Sequence, residues 1–173
     1  MLNVIKQVFQ RINLKNIPVR RILRYLLFLF LTLVLQNMVL THIRPMGVCP
    51  FILPAAVVAV GMFEGSVWGA VFALVLGLYA DMAFVETTVG FALLFPALAF
   101  ASGFVAQFFI NRRFFGYMVV AAAALLITGF VQAVWVVVSD GWSAAVIPTA
   151  LLQAIWSLPL AAPLYFPPAR WID

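Results

Sequence analysis

Few side chains in this sequence are able to do chemistry, and most of them interrupt long apolar runs. They are the acid Asp81, the amides Gln36, Asn37, Gln132 and Gln153, and, close by in sequence, the indoles Trp135 and Trp156. An ionisable residue inside an apolar segment is costly in a membrane. It reads either as a functional or partner-contacting site with its charge turned away from lipid, or as a cap that holds a helix end at the headgroups. Unpaired amides do not face hydrocarbon. The four amides either line a cavity together or each bridge two helices. A pocket of amides with one acid and two indoles would suit a small ligand or a partner's peptide.

Enzyme chemistry fares poorly against the same inventory. His42 is the sole histidine, which excludes a metal site built on two or three imidazoles and any HExxH motif. Cys49 is the sole cysteine, between Val48 and Pro50, so it closes no internal disulfide and no thiolate cluster. Ser102-Gly103 invites comparison with an intramembrane serine nucleophile. His42, at a segment boundary, would be its only imidazole base, and no oxyanion motif accompanies them. Glu64, Glu86 and Asp140 fall in predicted loops, leaving Asp81 without the second buried carboxylate that a dyad needs. Gly61-x-x-x-Gly65 is followed by neither Lys nor Thr, so it is no phosphate loop. The expectation is a protein that is not an enzyme and carries no cofactor or metal.

The elements that position these residues are membrane spans. The 173 residues are 66% apolar and only 9% charged, with a mean hydropathy of +1.16; soluble domains carry about 25% charged residues. The sequence pI is near 10, yet the basic residues cluster beside the apolar runs, which points to topology and anionic lipid rather than nucleic acid. Residues 1–24 hold six of the ten Lys and Arg, with Leu2, Ile5, Val8, Phe9 and Ile12 at helical spacing, and read as a basic amphipathic segment on the cytoplasmic leaflet. Residues 25–173 read as one domain of six spans, at about 25–43, 49–63, 66–85, 89–110, 114–138 and 144–166. The second is short, opened by Pro50 and interrupted by Pro54, and reads as a distorted span or a re-entrant piece. With six spans and both termini inside, nine of the ten cationic residues fall on the cytoplasmic side and only Arg44 outside. This orientation puts Gln36, Asn37, Asp81, Gln132 and Gln153 in the outer half.

A row of small residues organises the third span. Gly65, Gly69, Ala73 and Gly77 recur every four residues and the next step lands on Asp81. An i, i+4 row is one ridge of a helix, so this one forms a shallow groove into which another helix, from this chain or a partner, sinks backbone to backbone.

Together these features resemble the MreD family, rod-shape-determining membrane proteins of bacteria. The shared pattern is a basic N-terminus, a bulky first span, a Pro-led short segment, Gly69-x7-Gly77-Leu-x-x-Asp81, and Thr87-Thr88-Val89-Gly90 after a short acidic loop. The resemblance implies a non-enzymatic scaffold in the bacterial inner membrane. Its implied partners are MreC and, directly or indirectly, MreB filaments, a RodA-type glycosyltransferase and a penicillin-binding transpeptidase. The layout is also similar to substrate-binding subunits of energy-coupling-factor vitamin transporters, six-span bundles with an outward pocket, which supply the alternative. Those subunits tend to carry an Ala-x-x-x-Ala ridge on their first span. Here that span reads Leu26-Leu-Phe-Leu-Phe-Leu-Thr-Leu-Val-Leu35, whose bulk would hold a coupling helix away.

Overall fold

The Pro-led second segment lies at the centre of the molecule. In a computed structural model that describes residues 19–43, 45–83, 90–108 and 113–166, it forms the short helix α2, Leu53–Glu64, buried from Leu53 to Met62. Its sequence, Leu-Pro-Ala-Ala-Val-Val-Ala-Val-Gly-Met, is apolar on every face, and a helix of that kind has no side to give to water. Pro54 sits in the first turn, where its missing N–H costs no helical bond.

Around α2 stand α1 (Val19–Val34, continued by a π-helical turn over Leu35–Leu40), α3 (Ser66–Ala83), α4 (Phe91–Phe108), α5 (Phe114–Asp140) and α6 (Val146–Ala161, continued as a 3-10 turn over Ala162–Tyr165). No strand occurs among the described residues. Among the described residues, four helices are long and apolar enough to cross a membrane: Leu23–Leu40, Ser66–Ala83, Phe114–Ser139 and Val146–Tyr165. The chain is therefore compatible with a multi-pass membrane protein. α2, and α4 over Phe91–Gln107, are apolar but shorter. The described part of α1 starts at Val19, so the last turns of the expected surface segment belong to this helix instead. Residues 1–18, Glu86 to Val89, Arg112 and Arg170 lie outside the described residues.

α2, α3 and α4 form one tightly packed lobe, and the small-residue row is its seam. A Cβ built on Gly69 would lie 2.5 Å from the Gly61 Cα, and one on Gly77 would lie 2.5 Å from the Phe91 carbonyl oxygen. Gly61 in turn meets the Ala99 carbonyl, and Gly103 meets the Gly61 carbonyl and Ser66. The groove thus faces inward, against α2 and α4, and is not open to a partner helix. Gly65 is not part of it: the residue breaks the chain between α2 and α3 at φ +97°, with nothing within 4 Å of its missing side chain. At that backbone angle only glycine is comfortable.

α5 and α6 make a hairpin that joins this lobe at one end, here called the base. There the buried Tyr117 hydroxyl donates to the Ala161 carbonyl (2.9 Å) and lies 3.4 Å from the Ala55 carbonyl. Tyr165 packs against Phe63, Phe114 and Tyr117 beside it. α1 is the outlier. From Leu23 onward its buried residues are Phe28, Thr32, Gln36 and Leu40, at a step of four, with Tyr25, Leu29 and Leu33 half-buried beside them.

Candidate functional site

Twelve helical residues span roughly 18 Å at 1.5 Å each, a little over half of a bilayer core. α2 therefore fills the base half of the bundle and stops. The other half holds Val48 to Ile52, a non-helical lead-in that is nearly all buried. Backbone of this kind is tolerated at membrane depth only where protein supplies its hydrogen bonds. Gln36 does so from the π-helical turn. Its carboxamide donates to the Pro50 carbonyl (3.0 Å) and accepts from the Ile52 N–H (2.9 Å). The Phe51 N–H donates to Ser157 Oγ (2.8 Å), which itself donates to the Gln153 carbonyl (2.6 Å). Two side chains from α1 and α6 thus take the place of the missing turn of helix.

Above this lead-in lies a cleft of about 570 Å³ between α1 and the α5–α6 hairpin. Gln36, Cys49, Pro50 and Phe51 make one side and the floor. Gly129, Gln132, Ala133 and Val136 of α5 face Thr149, Ala150 and Gln153 of α6, and Trp142 with Ser143 forms the rim. Close packing of Gly129 on Ala150 brings the two helices together at the lower end of this wall, with a built Cβ only 3.4 Å from the Ala150 carbonyl. Towards the rim the hairpin residues become exposed.

Of the seven residues expected in an outer cavity, the cleft collects three: Gln36, Gln132 and Gln153. Asp81 is elsewhere. Its carboxylate accepts from the N–H groups of Gly90 (3.0 Å), Phe91 (2.8 Å) and Ala92 (2.9 Å), the first turn of α4. The charge is held by the positive end of that helix, where free N–H groups and the helix dipole favour an anion. It caps the following helix rather than its own. Asn37 also points away, donating to the Tyr79 hydroxyl (2.6 Å) between α1 and α3. Trp135 and Trp156 do not line the cleft, and each is 38% exposed on the outer face of the hairpin. The indole on the cleft is Trp142 instead.

Sequence reasoning missed Ser157, Thr149 and Trp142, and took Gly61 and Gly103 only as parts of absent motifs. Ser157 lies one turn after Gln153, so the amide and the hydroxyl share a face, and that spacing was the available signal. Ser102 is buried and its hydroxyl donates to the Ala99 carbonyl of its own helix (2.9 Å); His42 is exposed, 3.0 Å from the Met38 carbonyl. No group of three His, Cys, Asp or Glu residues able to hold a metal occurs among the described residues. Among known proteins, no family, no curated relative and no solved structure matches this chain.

Proposed function

We propose that this protein is a non-enzymatic, six-span scaffold of the bacterial inner membrane with both termini in the cytoplasm. It would bind a membrane-anchored partner of the MreC type and thereby help couple MreB filaments to peptidoglycan synthesis by a RodA-type glycosyltransferase and a transpeptidase. The resemblance to the MreD family supplies the identity of the partners.

One structural observation supports a docking role. α1 packs on the bundle through Phe28, Thr32 and Gln36 with Tyr25, Leu29 and Leu33 beside them, and it leaves Leu23, Leu26, Leu27, Phe30 and Leu31 open, at steps of three and four along one stripe. Bulky side chains in that pattern interdigitate with those of a second apolar helix. The glycine seam, by contrast, is already filled within the chain.

A second reading, a subunit that binds a small molecule for transport, is favoured by the cleft, whose volume lies in the range of small-molecule sites. Affinity purification of the tagged protein from native membranes, followed by mass spectrometry, separates the two. Recovery of an MreC-type protein and cell-wall synthases supports the scaffold. An ATPase pair with a bound small molecule would transfer the assignment to the transport reading, and neither set appearing would sink both.

A further inference from the structure

The cleft that favours the second reading has a chemistry that holds whichever partner the protein binds. No hydrogen bond joins the side-chain amide of Gln132 or Gln153 to another described residue, and both line the cleft. A carboxamide offers two donors and a two-lone-pair acceptor, so two such groups on adjacent helices present donors and acceptors side by side. The Thr149 hydroxyl, which donates to the Ala145 carbonyl (2.7 Å), retains its acceptor lone pairs. Trp142 stands at the rim, 70% exposed, as a flat apolar surface with one polar edge. Among the described residues, no Asp, Glu, Lys, Arg or His lines the cleft. A charged ligand would leave water without a counter-charge, which is strongly unfavourable, whereas a neutral ligand with several hydroxyl groups would lose little.

We infer that the cleft is a binding site for an uncharged, hydroxyl-rich group of sugar-like chemistry, held by the amides of Gln132 and Gln153 with Trp142 against its less polar face. The group arrives either as a free sugar or as the head of a neutral glycolipid. In the second case its chain would lie along the apolar part of the lining, Phe51 and Val136.

Cys49, the only cysteine of the chain, lines the same cleft and reports its occupancy. The full-length protein in phosphatidylcholine nanodiscs is treated with N-ethylmaleimide, and the labelling rate is followed by intact mass. Three probes are compared: glucose, octyl glucoside below its micellar concentration, and octyl phosphate. Octyl glucoside is expected to slow labelling about tenfold at roughly ten times its Kd, by simple occupancy, while octyl phosphate leaves the rate unchanged. Equal protection by glucose assigns the site to free sugars, and protection by octyl glucoside alone assigns it to glycolipids. Gln132→Leu and Gln153→Leu should abolish protection while keeping the unprotected rate and the melting temperature. Where a leucine variant does not fold, Gln→Met at the same position replaces it. Equal protection by octyl phosphate, no protection by any probe, protection that survives both substitutions, or a Cys49 that never labels would each overturn the assignment. Failure to recover the scaffold's partners leaves these outcomes unaffected, so the scaffold and the sugar site fail separately.

Discussion

Gly69 on α3 and Gly61 on α2 meet backbone to backbone, so closely that a methyl group on Gly69 would fall 2.5 Å from the Gly61 Cα and 3.0 Å from its nitrogen. Neither neighbour is a side chain that can swing aside. Gly69→Ala and Gly77→Ala must push whole helices apart, at a cost of about 1–3 kcal/mol or more each. Gly65→Ala has open space and pays only for its backbone angle, about 1–3 kcal/mol. Melting in detergent should fall for all three, but only the first two should also loosen the α2–α3–α4 lobe. Faster amide hydrogen exchange confined to those helices is the expected readout, and unchanged exchange in Gly69→Ala would contradict the seam.

Asp81 gives a graded test. Removing the carboxylate with Asp81→Ala exposes three N–H groups at the start of α4 and should cost about 1–2 kcal/mol, whereas Asp81→Asn keeps an acceptor and should lose about half of that. Because Asp81 does not itself line the cleft, neither variant should alter maleimide labelling of Cys49. A change there with an unchanged melting temperature would return Asp81 to the cleft.

Gln36 and Ser157 hold adjacent peptide groups of the same lead-in. Gln36→Leu leaves the Pro50 carbonyl and the Ile52 N–H unsatisfied, and Ser157→Ala leaves the Phe51 N–H so, at about 1–3 kcal/mol for each group. Once one anchor is lost the lead-in can shift, so the second loss should matter less. A double-mutant cycle on thermal stability should therefore show coupling of about 0.5 kcal/mol or more. Strict additivity would mean that the two side chains act on independent segments.

The stripe on α1 is tested by Leu27→Ala with Phe30→Ala. Both residues are exposed, so folding stability should stay within about 0.5 kcal/mol of the parent. Co-purification with a membrane-anchored partner should drop several-fold. Full recovery of the partner would move the docking surface elsewhere.

Much of this architecture was legible from residue spacing. The shortness of the Pro-led second segment stands in the spacing of Pro50 and Pro54, and the four-residue recurrence of Gly69, Ala73 and Gly77 marks a seam, because the row follows from the period of the helix. What the seam packs against was not legible. A groove looks the same whether Gly61 or a foreign helix fills it. Asp81 was hidden for a related reason: its partners are backbone N–H groups at Gly90 to Ala92, which every residue but proline carries, so no residue type marks them. Span orientation put Gln36, Gln132 and Gln153 at one level, and the cleft brings these three together. The direction of Trp135, Trp156 and Asn37 was not legible, since depth along a helix says nothing about rotation about its axis.

The fastening of the hairpin at Tyr117 has a mechanical corollary. Core packing continues through Ala121 and Ala124, so the free arm of α5 runs from Ala124 to Ser139, roughly 22 Å at 1.5 Å per residue. A rotation of about 5° at its packed end would carry the rim by about 2 Å, by the same geometry. Small adjustments in the packed half are thereby magnified at the mouth.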